Sequence, residues 1–288
     1  MIAAQQERLQ TAIGRIELQL MQQNKNTNPQ SHEFQVFSQW GEDGILQHLL
    51  QHAQIQKHVF VEFGVEDYTE ANTRFILQNN YWSGLVLDSS QTNIEKIRAS
   101  ELYWKFNLKA ETAMITTENI NDVLSKNGLS GEIGILSIDI DGNDYWVWKA
   151  IDVVQPAIVV CEYNSLWGAK NSVTVPYSAN FQRSNEHYSN LYFGASIQAL
   201  TDLAEQKGYA LVASNKAGCN LFFVRKDRMG DLNPQKAEDT YVQSGFRESR
   251  GKNGELTHLD FSERRALIAN FELLDTRANR KIKISELS

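Results

Sequence analysis

The sequence predicts an α/β protein built on a doubly wound, mostly parallel β-sheet with an antiparallel edge strand. Three observations carry that expectation. Short, near-continuous apolar runs at 58–64 (HVFVEFG), 82–90 (WSGLVLDSS), 132–142 (EIGILSIDIDG) and 156–164 (PAIVVCEYN) read as strands buried on both faces. Helical stretches such as EANTRFILQNN, NIEKIRASELY and TENINDVLSKNG separate them, which is the alternation that builds a parallel sheet covered on both sides. Residues 196–227 then give one helix closed by Gly208 and two strands. Their connection is too short for a parallel crossover, so the pair is antiparallel and belongs at the sheet's edge.

The elements follow in chain order. Residues 1–22 place Ile2, Leu9, Ile13, Ile16 and Leu20 at helical spacing among glutamines. That amphipathic helix either packs on its own domain or offers a surface for homo-oligomerisation or docking. Residues 23–35 are polar, contain Pro29 and read as a linker. Ser38 precedes a helix whose buried stripe is Ile45, Leu46, Leu49 and Leu50. The layout is therefore an N-terminal helix and linker over 1–36, the sheet domain over 37–227, and a polar C-terminal extension over 228–288. One further helix is expected across FSERRALIANFELLD, residues 261–275.

Composition excludes several classes. With 42% hydrophobic and 22% charged residues the chain has the material for a packed core and is not disordered. Cys161 and Cys219 are its two cysteines, too few for a disulfide framework or a cysteine-only zinc site, and a histidine-rich zinc site is not expected either. A net charge of -7 argues against nucleic acid as a partner. No apolar run approaches the ~20 residues of a membrane span, and Glu7 and Arg8 stand where a signal peptide would be apolar, so a cytoplasmic location is expected.

The first candidate site lies where the first two long strands end. Glu62 and Gly64 close the first, and Asp88 closes the second, 24 residues after Gly64. Doubly wound sheets bind ligands at such strand ends, and a carboxylate about 20 residues beyond the glycine commonly takes the ribose hydroxyls. Gly64 allows close backbone approach, and Thr69 or Asn72 starts the following helix. The loop Val65-Glu66-Asp67 lacks a Gly-rich phosphate turn, and its carboxylates would repel a pyrophosphate. The ligand expected is a nucleoside without diphosphate, and S-adenosylmethionine, whose sulfonium is cationic, meets that description.

Taken together, FVEFG, GLVLDSS, ILSIDIDGND and IVVCEYN, in this order, resemble a class I S-adenosylmethionine-dependent methyltransferase with its Rossmann-like fold. SQWGEDGIL and DIDGNDYWVWKAI are most similar to the FkbM-like members, many of which modify sugars, polysaccharides or natural products. The resemblance spans about residues 37–227. It implies Glu62, Gly64 and Val65 around the methionine part of the cofactor and Asp88 on its ribose, with Ser89 and Asp139 beside them. The acceptor it implies is a saccharide or related small molecule.

A second candidate site is acidic. SIDIDGND supplies Asp139, Asp141 and Asp144, and the next strand ends in Glu162 and Asn164. In an extended chain Asp139 and Asp141 point to one side, and adjoining strand ends would bring Glu162 and Asn164 to them. Asp139, Asp141, Glu162 and Asn164 thus form a candidate hard-oxygen site for Mg²⁺ or Mn²⁺, similar to that of metal-dependent O-methyltransferases. A metal lowers a hydroxyl's pKa and orients it, or a general base removes the proton. Asp139, Asp141 and His187 are the catalytic candidates. The insert 165–195, with Trp167, Tyr177, Phe181, Tyr188, Tyr192 and Phe193, is the candidate acceptor pocket. Two other readings stand beside this one: a metal-dependent glycosyltransferase using Asp139-Ile140-Asp141, and a catalytically silent module of the same fold.

Overall fold

The computed structural model describes residues 2–245 and 249–287. The chain opens with α1 (Ile2–Gln23) and, after the linker, α2 (Glu42–His52). The turn before α2 is held by Asp43, whose Oδ2 accepts hydrogen bonds from the backbone N–H groups of Val36, Phe37 and Ser38 and from the Ser38 hydroxyl. Ser38 therefore folds the entry to α2, while Gly41, in the left-handed region at φ 112°, occupies the N-cap position.

The alternating part follows as β1 (Val59–Phe63), α3 (Arg74–Asn80), β2 (Ser83–Asp88), α4 (Gln91–Ala99), α5 (Glu101–Lys105) and β3 (Leu108–Thr112). It continues through α6 (Ile120–Lys126), β4 (Gly131–Ile138), α7 (Asp144–Ala150) and β5 (Val154–Glu162). The insert contributes β6 (Val173–Thr174) and α8 (Arg183–Glu186), and then come α9 (Ile197–Gln206), β7 (Tyr209–Ser214) and β8 (Asn220–Arg225). The C-terminal part holds α10 (Ala237–Thr240), α11 (Phe261–Leu267), β9 (Glu272–Asp275) and β10 (Arg280–Lys283).

Seven strands form one sheet in the order β3-β2-β1-β4-β5-β8-β7. β1 to β5 are parallel, and β8 runs antiparallel to both β5 and β7. The doubly wound architecture is thus the one the sequence predicts, with the antiparallel member one place in from the edge. Alternate residues of the central strands feed two cores. Val61, Leu87, Leu136 and Val159 pack beneath Leu124, Trp148 and Leu200 of α6, α7 and α9. Phe60, Val86, Ile135 and Ile158 pack against Ile45, Ile76 and Ile94 of α2, α3 and α4. Burial on both faces is why these strands read as unbroken apolar runs.

Two parts differ from expectation. β3 (LKAET) is an edge strand with Leu108 and Ala110 buried around an exposed Lys109, a pattern too short and polar to stand out in the sequence. The single helix expected over 261–275 is a short α11, started by the Asp260 capping box, followed by a hairpin. Its strand β9 pairs with β6 of the insert in a separate three-stranded sheet, β10-β9-β6. The alternating sequence of this hairpin buries Leu273, which helps to build a small core with Trp167, Val175, Phe193 and Ile284. Among the described residues no helix is long and apolar enough to cross a membrane.

Candidate functional site

The strand order reverses between β1 and β4, since the chain runs outward through β2 and β3 and then returns to the far side of β1. A cleft of about 930 Å³ opens at the carboxyl ends of the strands on this line. Its position is the one the topology of doubly wound sheets assigns to ligands. Gly64 forms the floor at φ 71°, and a Cβ there would lie 1.7 Å from the Asp139 carbonyl oxygen. The ends of β1 and β4 are thus packed backbone to backbone, which only glycine permits.

Asp88 ends β2 and lines the cleft. Its Oδ2 accepts from the Glu66 N–H at 2.9 Å, and its Oδ1 accepts from the Ser90 N–H at 2.8 Å and the Asn93 amide at 3.3 Å. These bonds fix the carboxylate's orientation, and Oδ2 retains a lone pair for a hydroxyl donor. Ser89 and Val65 also line the cleft. Glu62 lies in the wall but works inward. Its oxygens accept from the N–H groups of Asn72 and Thr73 and from the hydroxyls of Thr73 and Ser137. Burial pushes its carboxyl up, and its hydrogen bonds tie the loop 64–73 to the end of β1. Thr73, rather than Thr69 or Asn72, occupies the cap position of α3.

The acidic group is assembled differently from expectation. Asp139 and Glu162 come together with Asp144, each offering a carboxylate oxygen within 4.8 Å of the others. Asp144 is committed to the turn, accepting from the N–H groups of Ile140 and Gly142, and burial pushes it up to about 6. Asp141 does not extend beside Asp139. β4 stops at Ile138, and Asp141 enters the left-handed region at φ 57° and pairs with Arg183 at 2.8 Å on the rim. Asn164 lies outside the cleft: its amide nitrogen donates to the Leu191 and Phe193 carbonyls and its oxygen accepts from the Leu166 N–H. His187 does not line the cleft either; its Nδ1 is 2.6 Å from the Ser189 hydroxyl, its ring packs on Tyr188 and Phe271, and burial lowers its pKa.

What remains facing the cleft is Asp139 beside Glu162. Both open partly on the cleft yet are enclosed by protein, and burial, followed by neighbouring carboxylates, holds both well above the usual carboxylate range. Arg183 partly offsets this, with its guanidinium 3.7 Å from the centre of the Phe193 ring. Three acceptor oxygens on cleft-lining residues are themselves buried and have no donor among the described residues: Glu162 Oε2, Asn143 Oδ1 and Asn220 Oδ1. The two amides are not free to flip, because Asn143 donates to the Ser178 carbonyl and Asn220 donates to Glu42. Unpaired buried acceptors cost free energy, so a donor that reached them would be stabilising.

Sequence reasoning missed Arg183, Asn143 and Asn220. Arg183 was discoverable as the cation of RSNEH, the stretch that also holds His187. The asparagines carry no sequence signal, because a cap and a strand start are ordinary places for them. The insert's aromatics turn mostly inward: Trp167, Tyr192 and Phe193 build the small core, whereas Phe181, Gln182, Arg183, Ser184 and Asn190 reach the cleft. One spacing typical of zinc sites is present, His48 and His52 one turn apart on α2, but their rings lie tilted against each other at 4.3 Å and His48 stacks on His32 at 4.1 Å. No convergent histidine ligand set results among the described residues.

No protein-family model matches the chain, and no curated relative does. Among solved structures, the N-terminal domain of EvdMO1 with SAH bound is similar at 13% identity, over 59% of this chain and 74% of that one, with a TM-score of 0.39. An S-adenosylmethionine-dependent methyltransferase from Clostridium acetobutylicum is similar at 7% identity, over 74% and 97%, with a TM-score of 0.38. An O-methyltransferase from Bacillus cereus in complex with SAH is similar at 13% identity, over 62% and 77%, with a TM-score of 0.36. Two of these three are methyltransferases by name. The fold and cleft themselves define the class: a doubly wound, Rossmann-like α/β protein with an acidic site at its topological switch point.

Proposed function

We propose that the chain is an S-adenosylmethionine-dependent methyltransferase that modifies a hydroxyl of a small, hydrogen-bonding acceptor such as a saccharide. The observation that supports this most is the switch-point cleft itself. Gly64 bares the backbone, Asp88 stands at the end of β2, and Glu66, Glu70, Asp88 and Asp141 give its walls a negative charge. Such walls disfavour a dinucleotide or a nucleotide sugar, whose diphosphate they would repel, and favour a cation. The residues that would hold the cofactor are Gly64, Val65, Asp88 and Ser89, with Glu62 bracing the loop around them. When bound, S-adenosylmethionine supplies an electrophilic methyl group on a positively charged sulfur.

The chain's own contribution is at the acceptor. Asp139 and Glu162 repel each other when both are ionised, so one carboxyl holds a proton and the other is free to take one from a hydroxyl. The orphan oxygens of Asn143 and Asn220 accept hydrogen bonds from further hydroxyls, as a polyol offers. The four-ligand metal site expected from sequence is not assembled, because Asp141 serves Arg183 and Asn164 serves the insert. The proton-accepting reading therefore uses the pair without a metal.

Calorimetry tests the cofactor: saturable binding of S-adenosylmethionine is expected, and no heat at millimolar cofactor would end the proposal. Glu162→Gln is expected to lower turnover by roughly 10²–10⁴-fold with cofactor affinity kept. Turnover is expected to persist in excess chelator. Its loss, with restoration by Mg²⁺ or Mn²⁺, would replace the base with a metal.

A further inference from the structure

α1 turns its apolar side away from its own domain. The face it lays on the domain is polar and small. Glu7 pairs with Arg74 at 3.0 Å and accepts from the Gln78 amide, and Thr11 donates to Gln78. Gly14 sits so tightly against Val36 and Phe75 that a Cβ would come within 2.5 Å of the valine methyl. Met21 is buried on the same side. At 3.6 residues per turn, Leu9, Ile13, Ile16 and Leu20 lie roughly 150° around the helix from these residues. They are 61%, 56%, 56% and 55% exposed. Ten large apolar side chains are exposed among the described residues, and these four form one straight stripe. A helix stabilised only by its own domain carries the opposite arrangement, apolar side inward.

We infer that this stripe is a dimer seam and that its occupant is a second copy of the chain, paired antiparallel. The spacing of 9, 13, 16 and 20 is the four-three-four step of a coiled-coil seam. It is also palindromic in identity: Leu, Ile, Ile, Leu. A two-fold axis passing between positions 14 and 15 sets Leu9 against the partner's Leu20 and Ile13 against the partner's Ile16, so like sizes meet in every layer. Self-complementarity of one patch is what a two-fold interface demands. The flanks agree. Gln5, Gln6, Gln10, Ala12 and Gln19 are uncharged, and Glu17, the one charge beside the stripe, falls opposite Gln10 and Ala12. No like charges are brought together. Arg15 points aside and donates to Asn79 of its own domain. A membrane-surface helix would instead flank its apolar face with lysine and arginine.

The test uses the full chain. Light scattering after size exclusion is expected to give twice the 32.8 kDa of one chain. The double variant I13E/I16E is expected to give one, with far-UV circular dichroism unchanged because neither side chain packs inside. I13Q/I16Q is the milder version should the glutamates disturb folding. A monomeric parent, or a variant that stays dimeric, overturns the seam. So does a monomer that binds anionic vesicles. Register is read by oxidation, which the buried Cys161 and Cys219 do not confuse. L9C mixed with L20C is expected to cross-link and L9C alone is not; efficient linking of L9C to itself would overturn the antiparallel order.

Discussion

One methyl group at position 64 would stand 1.7 Å from the Asp139 carbonyl oxygen, so Gly64→Ala must either bend β1 away from β4 or fail to fold. A left-handed non-glycine residue alone costs about 1–2 kcal/mol, and the clash adds to it. Denaturant unfolding is expected to show a loss of at least roughly 2 kcal/mol together with loss of cofactor binding. Asp88→Ala removes an oriented carboxylate and is expected to weaken S-adenosylmethionine binding by roughly 1.5–3 kcal/mol by calorimetry, with an unchanged constant removing Asp88 from the ribose. Glu62, Gly64 and Asp88 were legible in the sequence because a strand end fixes both where a residue sits and roughly where it points. Asp141, Asn164 and His187 were misplaced for the converse reason. One residue with positive φ re-aims Asp141, and competing hydrogen bonds already occupy Asn164 and His187.

Among elements, the buried parallel strands announce themselves because both faces are apolar, whereas β3, β6 and the C-terminal hairpin do not. The hairpin's identity depends on pairing with β6, about a hundred residues earlier, which no local pattern encodes. That pairing supports the insert that carries Arg183 to the cleft. Leu273→Ala, at a fully buried position of β9, is expected to cost about 2–5 kcal/mol. It should raise the acceptor KM while leaving cofactor affinity intact, a split measurable by steady-state kinetics and calorimetry. On α2, burial, then the neighbouring His32 and His52, holds His48 down to about 4, while Asp231 beside His52 opposes this. An unfolded imidazole takes its proton near 6.5, so the folded state is favoured fully above that pH and loses stability as pH falls from about 6.5 to about 4. Melting temperature is expected to drop across this window, and His48→Phe, which keeps the stack, to flatten the drop.

At the level of the whole molecule, the parallel sheet was readable from alternation and the antiparallel pair from the short final connection, and the carboxyl ends of the strands then indicated where a ligand would sit. What the sequence withheld was how the chain's charge is arranged. A net charge of -7 says little by itself, yet seven carboxyl groups border one cleft. Raising salt is expected to weaken binding of the cationic cofactor more than that of its uncharged-sulfur product, a comparison open to calorimetry at two ionic strengths.

Arg74 joins features that otherwise look separate. Its guanidinium meets Glu7 of α1 at one end, donates to the Tyr68 carbonyl of the loop beside Gly64, and covers the Phe37 ring at 4.7 Å. Among the contacts that hold the helix carrying the outer stripe, this one links it to the loop beside the ligand cleft. Replacing Glu7 would free one end of that link while the Tyr68 and Phe37 contacts of Arg74 keep the other end in place.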